Sequence, residues 1–266
     1  MSKDTFLVTG ASDGIGAVYA DRLARRGHDL LLVARRADRL AALAERLRAT
    51  HGVAVEILSA DLSQPEGLAL TEARLRADSA ITGLVNNAGI AGEGMITELD
   101  PVKVTGMINL NILAVTRLAA AIAPRLAAAG RGTIINMTSV TALMPAAFTA
   151  VYPATKAFVL AFTEALQAQL SPAGVRVQGV LPGITRTAIW EEEKLDALPA
   201  AMVMDAEEMV DAALAGLDLG ETLTVPSLPE SAALDAFLVA RDALRPHLSL
   251  AHAAARYGLG KKPVVR

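Results

Sequence analysis

Ser139, Tyr152 and Lys156 are spaced so that they could move a proton. Tyr152 and Lys156 stand four residues apart at the start of a helical pattern, which puts a phenol and an ammonium on one helix face. A free tyrosine ionises near pH ~10, and a neighbouring lysine cation draws it toward the neutral range, where it can act as an acid or base. Ser139 would hold the oxygen being protonated. Surface Tyr/Lys pairs share this spacing, so its meaning depends on what else the chain supplies.

A nucleotide fingerprint stands upstream. Directly after a strand-like run, Thr5–Thr9, come Gly10-Ala11-Ser12-Asp13-Gly14-Ile15-Gly16 and then an amphipathic helix. Glycines at such a turn let a pyrophosphate approach the backbone over a helix N-terminus with free amides. The spacing is a variant of the commoner Gly-x-Gly-x-x-Gly. The second strand ends in Arg35-Arg36 instead of an acidic residue. A guanidinium pairs with a 2′-phosphate, which points to NADP, with NAD not excluded. Asp13 opposes this unless Arg35 neutralises it, and a solvated helix start is the plainer reading of the arginines. Asp61, followed by Leu62, ends the third strand, where it either meets the adenine edge or caps the next turn.

The elements needed to position these groups are legible as alternation. Apolar runs recur at 5–9, 29–34, 54–59, 83–86, 132–138, 175–181 and 223–225, separated by helical patterns at 15–26, 37–50, 67–78, 101–129, 150–170 and 206–217. Consecutively apolar strands are covered on both faces, so the expected fold is α/β, a doubly wound parallel sheet of seven strands flanked by helices. No linker divides the 266 residues, and one domain is expected, with 188–204 as a substrate lid and 226–266 as a helical C-terminal appendage holding short helices at 230–244 and 250–257.

Composition removes other classes. The net charge of −3 gives no electrostatic case for nucleic acid, and the absence of cysteine excludes disulfides and thiolate sites. His247 and His252 are off helical metal-binding register, so no metal is assigned. The longest apolar stretches are interrupted, as by Pro124 and Arg125, short of the ~18 residues a spanning helix needs. With a strand entered at Thr5, no room is left for a signal sequence, and a cytoplasmic protein without membrane contact is expected.

Taken together, the motifs resemble the short-chain dehydrogenase/reductase family, compact single-domain branch, over roughly Thr5 to Thr187. The resemblance implies a cofactor turn at residues 9–16 and a catalytic set of Asn111, Ser139, Tyr152 and Lys156. It also implies that Asn87, Ala88 and Gly89 line the adenosine and pyrophosphate side, and that Pro182, Gly183, Ile184 and Thr187 meet the nicotinamide. The implied activity is hydride transfer between NADPH and a carbonyl or alcohol carbon, as in a carbonyl reductase or alcohol dehydrogenase. Lys156 would also bond the nicotinamide ribose, and Asn111 would hold a proton-supplying water. The substrate wall is expected from Ser139, Thr141, Leu143, Met144, Phe148 and Trp190, which suits an apolar ketone or aldehyde. The Ala-rich helices at 101–129 and 150–170 suggest a partner surface, and the resemblance implies that this pair builds a homodimer or homotetramer. Two other readings stay open: a non-catalytic NADPH-binding regulator, against which the complete proton device argues, and a non-redox lyase or isomerase.

Overall fold

A computed structural model describes residues 4–92, 95–187 and 192–259. The chain forms two compact units, Met1–Ser227 and Leu228–Arg266. In the first unit the order is β1 (Thr5–Thr9), α1 (Gly14–Arg25), β2 (Asp29–Ala34), α2 (Ala37–His51), β3 (Val55–Ser59), α3 (Pro65–Ala77) and β4 (Ile81–Asn86). There follow α4 (Pro101–Ile108), a π-helical turn (Asn109–Ala114), α5 (Val115–Ala129), β5 (Gly132–Met137), α6 (Val151–Leu170) and β6 (Val175–Val180). The unit closes with β7 (Ile184–Arg186), α7 (Glu192–Asp196), β8 (Val203–Asp205), α8 (Ala206–Leu219) and β9 (Leu223–Thr224).

Seven strands form one parallel sheet in the order β3-β2-β1-β4-β5-β6-β9. Alternate residues of β1 show why both faces must be covered. Phe6 and Val8 pack with α1, α2 and α8 through Tyr19, Leu40 and Met209, whereas Leu7 packs on the other face with Leu75, Leu118 and Leu166 of α3, α5 and α6. Leu7, Leu31 and Leu84 are almost wholly buried, each contributing about 2 kcal/mol by removal from water. From β1 the strand order runs outward in both directions, and the crevice beyond the carboxyl ends of β1 and β4 is the switch point at which doubly wound sheets bind ligands.

Three sequence expectations need correction. The helix expected at 101–129 is continuous but contains the π turn, which inserts extra backbone ahead of α5. That stretch, Pro101–Ala129, is long and apolar enough by composition to cross a membrane despite Pro124 and Arg125. In this fold 44% of its most apolar window is buried, and its inner face fills the core. In the second unit α9 (Ala232–Asp242) forms, but 250–257 is not a helix beyond a single 3-10 turn, Ala255–Tyr257.

Candidate active site

The turn after β1 is built for close approach. Gly10 and Gly14 have φ of 67° and 49°, open to glycine at little cost. A Cβ on Gly16 would lie 2.4 Å from the Gly10 carbonyl oxygen and 2.5 Å from Asn87 Nδ2. Asp13 caps α1 by accepting from Gly14 N at 2.8 Å. The Thr9 hydroxyl donates to Val85 O at 3.1 Å and accepts from Asn87 N at 2.9 Å and Ala88 N at 3.0 Å, while Asn87 Nδ2 donates to Thr9 O at 2.9 Å. The segment after β4 is thus tied to the glycine turn. Thr187 closes over the same turn: a Cβ on Gly14 would meet its methyl at 3.1 Å. This cradle, which larger residues would fill, fits a dinucleotide pyrophosphate.

At the adenosine end the charges pair differently from the sequence expectation. Arg36 and Arg39, not Arg35, neutralise Asp13, at 3.2 and 2.6 Å. Arg36 also donates to Ser12 Oγ at 3.1 Å. Arg35 projects into solvent, 3.9 Å from Asp61 Oδ2. Asp61 Oδ1 accepts from Ser63 N at 2.9 Å and Ser63 Oγ at 2.7 Å, the local capping role. Leu62 is buried in the core, so only its backbone is available to a ligand. Arg39 is absent from the sequence assignment; its position four residues after Arg35, in the first turn of α2, was the available signal.

Four elements converge on the proton-handling groups. Ser139 follows β5 and is buried, its Oγ accepting from Thr141 N at 3.2 Å. Tyr152 and Lys156 occupy successive turns of α6, with Lys156 Nζ 5.7 Å from the phenol ring centroid. The ammonium donates to Met137 O at 2.9 Å, and the Thr138 hydroxyl donates to Lys156 O at 2.8 Å, stitching α6 to the end of β5. Gly89 leaves space here: a Cβ would lie 3.2 Å from Asn111 Oδ1 and 3.5 Å from Lys156 Nζ.

Asn111 lies in the π turn, and its amide is occupied. Oδ1 accepts from Ile90 N at 3.0 Å, and Nδ2 donates to Ile90 O at 2.9 Å and to Thr155 Oγ1 at 3.1 Å. Both amide hydrogens are used, so the side chain clamps the post-β4 segment, and a water at Asn111 could only donate to its oxygen atoms. Thr155, which sequence reasoning missed, completes the clamp by donating to Tyr152 O at 2.7 Å.

The electrostatics also differ from expectation. Burial raises the Tyr152 pKa above its ordinary value, and the bond with Ser139 only partly offsets this. Burial lowers Lys156 to about 8. Desolvation disfavours both charged forms, so the phenol moves away from the neutral range and not toward it.

Of the expected substrate wall, Leu143 is half-buried, Met144 and Phe148 are exposed, and the Thr141 hydroxyl is buried without a hydrogen-bond partner. Trp190 lies outside the described residues. Pro182 O accepts from Val140 N at 3.0 Å, fixing the start of the segment through Gly183 and Ile184 to Thr187. Sequence periodicity gave no sign of the two-stranded parallel sheet pairing Ile184 with Val203 and Arg186 with Asp205. These strands are too short for a recognisable alternation.

A doubly wound sheet, a glycine cradle at its switch point and a Ser/Tyr/Lys set with two of its members buried together define a dinucleotide-binding protein equipped for proton transfer. The chain belongs to the short-chain dehydrogenase/reductase family, whose short chain dehydrogenase profile matches residues 4–197, and it is an oxidoreductase of that family. Among solved structures, it is similar to a short-chain dehydrogenase from Sphingobium yanoikuyae in complex with NADPH, with 50% identity and a TM-score of 0.92 over 96% of this chain and 99% of that one. It is also similar to a bulky-bulky ketone specific alcohol dehydrogenase from Comamonas testosteroni, with 43% identity and a TM-score of 0.90 over 97% and 99%. A very-long-chain 3-oxoacyl-CoA reductase-A from Danio rerio is 35% identical over 71% of this chain, which covers only 60% of that protein's length.

Proposed function

We propose that the protein is an NADPH-dependent carbonyl reductase/alcohol dehydrogenase acting on an apolar ketone or aldehyde, with Tyr152 as general acid in reduction and base in oxidation. The observation that carries this reading is the set of buried Ser139, half-buried Tyr152 and buried Lys156, joined through Gly89 to the glycine cradle. Arg35, Arg36 and Arg39 form a basic cluster suited to a 2′-phosphate, and the NADPH-bound relative supports that cofactor. When bound, the dihydronicotinamide supplies hydride to the carbonyl carbon.

The chain's own residues handle the proton and the developing charge. Ser139 Oγ donates to the carbonyl oxygen, and Tyr152 transfers its phenolic proton to that oxygen. Because burial holds the phenol protonated at neutral pH, the acid form required for reduction is ready. Alcohol oxidation needs the phenolate and is favoured as pH rises. Lys156 stands on the site side of α6, its charge fixed by Met137 O. Asn111 and Thr155 keep the Gly89–Ile90 backbone clear of the ammonium.

The apolar substrate is supported by exposed Met95, Ile96, Met144, Phe148 and Met202 on the loops after β4, after β5 and before β8. The ketone-specific relative fits this reading. Exposed Val102, Leu113 and Phe158 support a homo-oligomer through α4, the π turn and α6. The test is NADPH oxidation against bulky ketones, small ketones and a 3-oxoacyl thioester. Turnover of the bulky ketones is expected; turnover of the thioester alone would replace the substrate assignment, and no turnover of any would sink the reading.

A further inference from the structure

The parallel sheet has a second edge, where the strands begin. Asp4 and Phe6 lie at the start of β1, Thr82 at the start of β4, Thr133 in β5 and Arg176 in β6, and around them is a cavity of about 270 Å³. Strands of this length place it roughly 15 Å or more from the glycine turn and Ser139, which stand at the opposite edge.

Its walls differ in character. Phe6, Leu23, Leu214 and Leu217 are buried and supply an apolar side. The Phe6 ring can lie flat against β4 because residue 83 is glycine: a Cβ there would fall 2.2 Å from the ring. The facing side carries Arg26, Arg131, Arg176 and His28. Asp218 pairs with Arg26 through two bonds, of 3.0 and 2.9 Å, and Asp4 pairs with Arg131 at 2.6 Å. Arg176 has only the Thr133 hydroxyl, at 3.3 Å, and among the described residues no carboxylate pairs with it. Three guanidiniums against two carboxylates leave the cavity one positive charge in excess, located at Arg176.

We propose that this cavity is a second ligand site, taking a small amphipathic monocarboxylate whose head pairs with Arg176 and whose chain lies along Phe6, Leu23, Leu214 and Leu217. The volume falls just below the ~300 Å³ at which pockets for larger organic ligands begin, so a nucleotide is too big and a medium-chain fatty acid anion suits. A guanidinium with an open fork beside apolar surface recognises a carboxylate bidentately.

His28 reports occupancy without any assay of catalysis, so the inference stands or falls apart from the proposed reaction. Its ring lies 4.8 Å from that of Phe6. Its pKa is lowered chiefly by burial and further by Arg26 and Arg176, while Asp4 opposes them. A carboxylate bound at Arg176 must therefore raise it.

The experiment is a titration of the full chain with sodium octanoate, read from the His28 ring signals by NMR and assigned with His28→Gln. Octanoate is expected to shift the His28 signals saturably and raise its pKa, with 1-octanol and acetate far weaker. Arg176 is exposed, so Arg176→Gln should fold normally and bind octanoate roughly tenfold more weakly. The proposal is overturned by an unmoved His28, by equal affinity in Arg176→Gln, by octanol binding as well as octanoate, or by displacement of octanoate with NADPH.

Discussion

The groups that handle the proton and the groups expected to meet the substrate are only a few residues apart in sequence, yet they are held very differently. Ser139, Asn111 and Lys156 are all buried and each is hydrogen-bonded to backbone. Met144 and Phe148, within ten residues of Ser139, are 66% and 54% exposed. The first set is positioned by strand ends and helix turns that the core already fixes. The second stands on loops whose conformation little else determines. A scaffold of this kind keeps one chemical step while the pocket above it is free to change.

The sharpest break in that contrast is Tyr152→Phe. The ring is retained and only the hydroxyl is removed, so packing and thermal stability should stay close to the parent. Reduction should fall by about 10³-fold, the range of a positioned general acid. If the variant keeps more than a tenth of parental kcat with an unchanged pH profile, the proton comes from elsewhere and burial of the set has another purpose.

Lys156 tests the energetic side of the same burial. Its native pKa of about 8 lies below the ordinary 10.5. Between those pH values the unfolded chain holds a proton that the native state has released, so native stability rises with pH across the window. Below pH 8 both states are protonated and the full penalty applies, about 3 kcal/mol for a depression of this size. Lys156→Met abolishes this slope and leaves a constant cost for the Met137 carbonyl it orphans. Denaturant unfolding of the two proteins from pH 7 to 10.5 should show the parent gaining on the variant by that amount. Parallel curves would mean that the lysine is hydrated in the native state.

How much of this could be read from the sequence follows the same division. β1 and the glycine turn were legible because apolar periodicity and glycine placement state backbone requirements directly. The Tyr152/Lys156 pair was legible because four residues is one helical turn. The role of Asn111 was not, since the π turn that aims its amide at Ile90 has no sequence period of its own. Nor was the pairing of Asp13 with Arg36 and Arg39, where long side chains on two elements choose among several carboxylates. The sign of the Tyr152 shift was missed for a third reason: spacing reveals the neighbouring cation but not the depth of burial that opposes it.

The smallest effect should come from the exposed side. Met144→Ala and Phe148→Ala remove apolar surface that the folded unit leaves largely in water, so unfolding free energy should move by less than about 0.5 kcal/mol. Whatever these residues contribute must then appear in substrate binding. Loss of partly exposed apolar contact with a bulky ketone raises KM several-fold, with kcat and the pH profile unchanged, because uniform binding is lost without touching the transition state's proton. A drop in kcat equal to the drop in kcat/KM would instead place these side chains among the groups that align the carbonyl with Tyr152. The loop after β5 would then belong to the fixed half of the site.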